Sequence, residues 1–502
     1  MLPYSSIGGV VCFVDGGPGT GKSKTMCDGA HWLSVAGGGP VPSLVVIICP
    51  TRKVVTDTAD KLKKLCTGSE RWAVAAPKAM TYAMFAKALV ALESKREKVS
   101  LQTSDPYFWR DFQRAYRGRV RFVLMVEEFS MMDQYTLRVR IDEKMRQWPR
   151  SCLSMPFGGK KVFLHGDPFQ LPPPDGSPVL RGEYMLNLRD GGFLRRHALT
   201  RNYRIDSSPD GVPTNEGQRL MEFVGLLRGM KAGSDTHEVM YAIQRMSISA
   251  FDADGGLSCA FQDWLMSGRE GTRPSVLAPG YNVSEYFLRL LHELEPEGEL
   301  MSLEPPKYVR GGTRSQGVHE SAHVCALAPV TLMTTVRGAV IPDDGEEGDK
   351  PQMEWFDNGM GATLISVEGA ESTEPDPAKP GWTSYKIKKD SSFFIDVGGS
   401  TAKIPALHKD ELTIRGGGTE DVDVSVMFRI QGQTTSGRVF VASHAPCTPV
   451  PLSLSNALVS ASRACRASDV RFQRGTEIRR PGYEWQSIVS DAEFISSLAP
   501  AR

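Results

Sequence analysis

Several common features are missing from this 502-residue chain. It has no charge excess: 59 Lys plus Arg against 58 Asp plus Glu give a net charge of +1. That excludes a uniformly basic, tail-like binder but not a folded protein with a local basic channel. It has no long hydrophobic run. No stretch approaches the roughly 18 apolar residues of a membrane helix, so no membrane insertion is expected. Its nine cysteines, an odd number scattered from Cys12 to Cys465, contain no C-x2-C pair. This argues against a disulfide framework and a Cys-rich zinc module, and for an intracellular, reducing compartment. There is no fixed-period repeat, which excludes a solenoid. No basic segment precedes the apolar run of MLPYSSIGGVVCFVDGG, so no secretion leader is expected. What remains is a globular composition, 41% apolar and 23% charged. At about 150 residues per domain it provides material for three or four structural units.

The first 200 or so residues alternate short apolar runs with longer amphipathic stretches, the pattern of a parallel sheet with crossover helices. Strands are expected at Val10–Val14, Leu44–Cys49, Phe122–Val126 and Val162–His165, with helices at Val54–Leu65 and Tyr82–Leu92. The charged, aromatic stretch from Glu93 to Arg119 reads as a small excursion from this sheet. From about His197 the texture repeats, with helices near Glu216–Leu227 and Cys259–Met266 and strands at Ser275–Ala278 and Arg438–Ala442, which implies a second α/β domain. An acidic loop, Asp343–Pro351, leads to short strand candidates at Thr363–Val367, Ser384–Lys388 and Phe393–Val397. These fit a small β-rich insertion or a partly disordered loop. The expected division is 1–196 for the first domain with its excursion at about 93–119, 197–342 and 421–480 for the second, 343–420 for the insertion and 481–502 for a tail.

The sharpest signal is Gly16-Gly-Pro-Gly-Thr-Gly21-Lys22-Ser23, a complete G-x-x-x-x-G-K-[ST] between a predicted strand and a predicted helix. Glycines let the backbone curl and turn its amides inward onto phosphate oxygens. Lys22 adds a point charge for the outer phosphates, and the Ser23 hydroxyl is a Mg2+ ligand. A second apolar strand ends in Glu127 and Glu128. Glu127 is placed to hold the metal shell and Glu128 to act as general base or water positioner. A third strand runs into His165-Gly-Asp-Pro-Phe-Gln170, where a neutral amide can sense the γ-phosphate and the attacking water. Two arginine clusters, Leu199-Thr-Arg-Asn-Tyr-Arg204 and Val459-Ser-Ala-Ser-Arg463, offer guanidinium groups for transition-state charge.

In their order along the chain these blocks resemble the superfamily 1B helicases, specifically the Pif1/RecD-like group, with some resemblance to the superfamily 1 helicases of viral replicases. GGPGTGKS at Gly16, CPTRKVV at Cys49, Met80-Thr81-Tyr82, VEEFSMM at Val126, GDPFQLPP at Gly166, LTRNYR at Leu199, Gln431-Gly432-Gln433-Thr434 and VSASRA at Val459 follow the family order. NGMGATLISVE at Asn358 resembles the family passage into a small SH3-like domain.

The resemblance implies two RecA-like parallel-sheet domains of the P-loop NTPase type, with a β-rich SH3-like insertion and a small 1B-like excursion. It implies an ATP- and Mg2+-dependent helicase moving 5′ to 3′ on a single strand. The implied nucleotide site comprises Gly16, Gly17, Pro18, Gly19, Thr20, Gly21, Lys22, Ser23, Lys24, Glu127, Gln170, Arg204, Gly432 and Arg463. Ser23 and Glu127 hold the metal; Lys22, Glu128, Gln170, Arg204 and Arg463 are catalytic. Pro50, Thr51, Arg52, Thr81 and Thr434 are the implied strand contacts. Partners are single-stranded nucleic acid, DNA ahead of RNA, and replication proteins.

Three features depart from the family pattern. Glu127 stands where an Asp is usual, few residues precede the first strand where an adenine-contacting glutamine segment is usual, and Phe428-Arg429-Ile430 replaces His-Lys-Ser before Gln431. A viral-type RNA helicase, a nucleic-acid-stimulated NTPase that remodels bound proteins, and a noncatalytic binding module of a replication complex stay open at this level. Tyr107, Phe108 and Trp109 with Arg110 and Arg114 fit either a stacking surface or simple packing of the excursion. His319-Glu320-Ser-Ala-His323 matches H-E-x-x-H formally, but nearby glycines and the lack of a third ligand favour chance over a zinc site.

Overall fold

The computed structural model describes residues 11–35, 43–66, 76–93, 106–173, 179–207, 211–229, 237–268, 272–294, 298–305, 322–341, 352–356, 360–373, 381–408, 411–427, 435, 437–445, 448–449, 451–478, 494–495, 497–498 and 500. The chain forms two compact units, Met1–Ile205 with Arg228–Ser234 and Arg480–Arg502, and Asp206–Leu227 with Asp235–Arg479. Each is an α/β lobe built on a parallel sheet, and the second also carries antiparallel sheets.

In the first unit the strands are β1 (Val11–Gly16), β2 (Ser43–Cys49), β3 (Lys78–Thr81), β4 (Arg121–Val126), β5 (Lys161–Gly166) and β6 (Leu194–Leu199). They lie in the order β3-β2-β4-β5-β1-β6, all parallel. Alternation of side chains along each strand divides the apolar residues between two faces. Val11, Phe13, Leu44, Val46, Ile48, Leu124 and Val126 enter one core, and Cys12, Val14, Val45, Ile47, Val123 and Met125 the other. Helices α1 (Lys22–Ser34) and α2 (Arg52–Leu65) cover the second face through Met26, Ala30, Leu33 and Leu62. Helices α3 (Tyr82–Glu93), α4 (Pro106–Tyr116) and α5 (Glu183–Asp190) cover the first through Phe85, Leu89, Phe112 and Met185. This burial on both faces explains why β2 reads as a continuous apolar run.

The described part of the expected excursion is α4. Its Phe108 and Phe112 are buried in the core and Phe112 meets the Trp148 ring edge-on at 5.9 Å, while Tyr107 is exposed. Arg110 and Arg114 are both held by the buried Asp111, at 3.2 and 3.0 Å. Phe108 is therefore a packing residue, and of the three aromatics read as a stacking surface only Tyr107 is exposed.

The second unit has a five-stranded parallel sheet in the order Asp423–Val426, Ser275–Ala278, Val439–Val441, Val470–Gln473, Ser247–Ile248. Phe261, Val276, Phe287 and Phe440 pack its core. The β-rich part runs from Leu300 to Gly416 and contains a seven-stranded antiparallel sheet and a four-stranded mixed sheet, in which Thr383–Lys386 runs parallel to Leu300–Glu304, and the two share a core around Leu303, Val330, Leu364, Phe393 and Ile404. The three strands expected there are present, as Gly361–Glu368, Thr383–Lys386 and Ser392–Val397. Leu300–Glu304, Ala322–Cys325, Pro329–Leu332 and Val336–Val340 add to the same sheets from before the acidic loop, which itself lies outside the described residues. His323 is on a strand paired with Leu300–Glu304, so the H-E-x-x-H stretch is not helical there; His319 and Glu320 lie outside the described residues. No described helix is long and apolar enough to cross a membrane, and the eight described cysteines are free.

Candidate nucleotide-binding site

The carboxyl ends of β1, β5 and β4, three neighbouring strands, lead into Gly16–Gly21, Asp167–Gln170 and Glu127–Glu128. This is the edge of a parallel sheet at which ligands bind. The glycine loop has φ of +76° at Gly19 and +80° at Gly21, a backbone that side chains disfavour. A Cβ on Gly16 would run into the Thr20 hydroxyl, and one on Gly19 into Asn202 and Arg204. Lys22 is buried and its Nζ donates to the carbonyls of Gly16 at 2.8 Å and Gly17 at 3.0 Å. Helix α1 starts at Lys22 without a capping side chain or a first-turn acid, so its amides and dipole stay open to an anion. Lys24 points away and pairs with Asp28 at 3.0 Å on the exposed side.

The Ser23 hydroxyl donates to Glu127 Oε1. Burial, followed by the neighbouring Glu128 charge, pushes the Glu127 carboxyl up to about 7, against the pull of the Ser23 bond, Lys61 and Lys22. Glu127 Oε2, Glu128 Oε2 and Gln170 Oε1 are buried without a hydrogen-bond partner among the described residues. Each such atom costs about 1–3 kcal/mol unless a ligand satisfies it. Carboxylate oxygens with a serine hydroxyl suit a hard divalent cation, and the glycine cradle with Lys22 suits a polyphosphate. The residues therefore fit Mg2+ and ATP.

Glu128 adopts a left-handed backbone, φ 48° and ψ 50°, a conformation costing on the order of 1–3 kcal/mol. Tyr82 secures it: the phenol donates to the carbonyls of Glu127 at 2.5 Å and Glu128 at 3.0 Å, and Met131 N–H donates to the Glu128 carbonyl at 2.9 Å. Gln170 is positioned by Asp167, whose Oδ2 accepts its Nε2 at 3.4 Å. Asp167 is fully buried and also accepts from Arg228, which belongs to the first unit and stacks over Phe169 at 4.6 Å.

Arg204 is placed in the first unit, because β6 pairs along β1 and carries Leu199 to Gly16. Tyr203 N–H donates to the Gly19 carbonyl at 2.8 Å, and Asn202 Nδ2 to the Pro18 carbonyl at 3.0 Å. These bonds press the Leu199–Arg204 segment onto the phosphate loop and leave the Tyr203 ring exposed beside Gly21. Arg463 is buried in the second unit, with Nε on the Val459 carbonyl at 2.9 Å and Nη2 on Ser462 at 3.2 Å. Gly432 and Thr434 lie outside the described residues.

Of the candidate strand contacts, Pro50, Thr51 and Arg52 follow β2 and Thr81 ends β3, with Cys49 and Thr81 opposite each other in register. Thr51 and Thr81 cap α2 and α3, accepting from Val54 N–H at 3.3 Å and Met84 N–H at 3.2 Å. Each hydroxyl keeps its own proton to donate. Sequence reading missed Tyr82, Asn202, Asp167 and Arg228 as site residues. The first three lie within the motifs it quoted; Arg228 carries no local signal.

Residues 5–175 match the family model of an AAA domain, a stretch holding the glycine loop, both glutamates and Gln170. No curated protein matches the chain. Among solved structures, the chain is similar to Pif1 helicase from Candida albicans, at 15% identity over 98% of this chain and 96% of that one, TM-score 0.48. It is similar to Bacteroides Pif1 bound to ssDNA, at 14% identity over 99% and 96%, TM-score 0.49. Similarity extends to an arterivirus nonstructural protein 10 (helicase) in complex with DNA, at 11% identity over 95% and 63%, TM-score 0.32.

Proposed function

We propose that the chain is an ATP-driven helicase that moves 5′ to 3′ on single-stranded nucleic acid, DNA ahead of RNA. The observation carrying this reading is the junction of Ser23 with Glu127 beneath the Lys22-closed glycine loop, with unsatisfied Glu128 and Gln170 atoms beside it. The order of the motifs along the chain supports the strand-coupled part, together with Thr51 and Thr81 on one sheet edge. The same order supports reading the β-rich part of the second unit as the SH3-like domain of such motors.

Mg-ATP would supply a γ-phosphoryl group and a divalent positive charge beside it. Ser23 and Glu127 would hold the metal, and Gly16–Gly21 with Lys22 would hold the phosphates. Glu128 Oε2 takes a proton from water, and the Gln170 amide orients that water. Arg204 adds charge from the segment braced on Gly19, and Arg463 is its counterpart in the second unit. Glu127 reaches one methylene further than Asp, and its bond to Ser23 shows that the longer carboxylate still meets the serine hydroxyl.

The test is strand displacement from a tailed duplex, with DNA and RNA versions and both tail polarities, with Lys22→Ala as background. ATP-dependent displacement on 5′-tailed DNA that is lost in the variant supports the reading. Turnover without displacement favours a remodelling NTPase, and strand binding without turnover favours a noncatalytic module.

A further inference from the structure

Resting on that proposed function, we infer that Tyr82 is a positioning residue that couples the strand-binding edge to hydrolysis. Tyr82 is the residue after Thr81. Thr81 ends β3, caps α3 and stands opposite Cys49 at the edge where Pro50, Thr51 and Arg52 emerge. Any shift of Thr81 against a bound strand is passed by one peptide bond to Tyr82. A tyrosine is a stiff lever, because two torsions fix where its hydroxyl lies.

That hydroxyl lies on the backbone of the two glutamates. Its single proton is shared between the carbonyls of Glu127 and Glu128, at 2.5 and 3.0 Å. The convergence of two successive carbonyls on one donor goes with the left-handed turn at Glu128. Residues in that conformation persist only where their surroundings hold them. Tyr82 is one such hold, from the strand-contacting segment, and Met131 N–H is another. Loosening the tyrosine lets the turn relax and moves the Glu128 carboxylate, leaving the phosphate loop and Thr81 in place. Tyr82 thus acts on turnover through Glu128 and touches neither nucleotide nor strand.

Tyr82→Phe removes only the hydroxyl and keeps the ring. The expected result is a fall of about tenfold in strand-stimulated kcat, with KM for Mg-ATP and Kd for an oligo-dT strand within about twofold of wild type. Because Tyr82 works through Glu128, adding Tyr82→Phe to Glu128→Gln produces no further loss, whereas a general structural defect lowers both backgrounds alike. The inference is overturned if stimulated kcat is unchanged in Tyr82→Phe, if KM or Kd moves as far as kcat, or if the losses add in the double variant. Wild-type protein that no strand stimulates would instead remove the proposed function, and the coupling with it.

Discussion

Ser23, in the first turn of α1, donates its hydroxyl proton to Glu127 at the end of β4, joining two motifs 104 residues apart. Helix and strand thereby present one hydroxyl and one carboxylate to the same point. Ser23→Ala is expected to raise the Mg2+ concentration for half-maximal hydrolysis by about tenfold or more, the worth of one charge-assisted contact. Metal titration of steady-state turnover checks this, and an unchanged midpoint would separate Ser23 from the metal.

Gly19→Ala is expected to cost about 1–2 kcal/mol from its left-handed φ alone, and more because the new methyl meets Asn202 and Arg204. Gly192→Ala is the matching control, since Gly192 has φ +71° with open space around it. Denaturant unfolding of both variants isolates the packing of the Asn202–Arg204 segment on the loop. Equal losses would mean that this segment does not press on Gly19.

These elements differ in how far the sequence discloses them. β1, β2, β4 and β5 are interior strands, and the sequence shows them as unbroken apolar runs ending in chemistry. β3 and β6 are the edges of the same sheet, β6 carrying on its outer side a single bridge from Arg196 to Pro500 among the described residues, and they read as KAMT and LRRHAL. Arg196 on β6 is accommodated because it pairs with buried Asp15 at 2.6 Å, a partnership between residues far apart in the chain. Burial of His165 follows from its position on β5, whereas the Tyr82 hydroxyl bonds and the Asp167–Arg228 pair depend on tertiary approach. The β-rich part was half legible, because strands such as AHVC and PVTL are too short for a periodicity to declare itself.

Asp167 has no exposed surface and Arg228 is its cation. Arg228→Met is expected to destabilise the first unit by at least about 2 kcal/mol, since it leaves a buried charge unpaired. Adding Asp167→Asn should recover part of that loss. A double-mutant cycle by urea unfolding measures the recovery, and strictly additive losses would show that the pair contributes no coupling.

His292 is fully buried in the second unit, its ring nitrogens unpartnered among the described residues. Burial lowers its pKa from 6.5 to about 4, with Glu285 pulling the other way and His323 adding to the fall. Its folded pKa lies below the unfolded one, so between about pH 6.5 and 4 the unfolded chain binds the extra proton and stability falls as pH falls. The loss reaches on the order of 3 kcal/mol. His292→Leu should flatten that slope in tryptophan-monitored unfolding from pH 7 to 4; an equal slope in both proteins would place the acid sensitivity elsewhere.

The proposed role of Glu128, held in its left-handed turn, is that of the base of a strand-stimulated ATPase. Its most direct test is steady-state hydrolysis of Mg-ATP by wild type and Glu128→Gln, each without polymer, with single-stranded DNA and with single-stranded RNA, alongside Mg-ATP binding. A strand, DNA more than RNA, is expected to stimulate wild type, and Glu128→Gln is expected to bind Mg-ATP normally yet lose turnover by about a hundredfold or more. Undiminished hydrolysis by a Glu128→Gln protein that binds Mg-ATP normally would contradict that role.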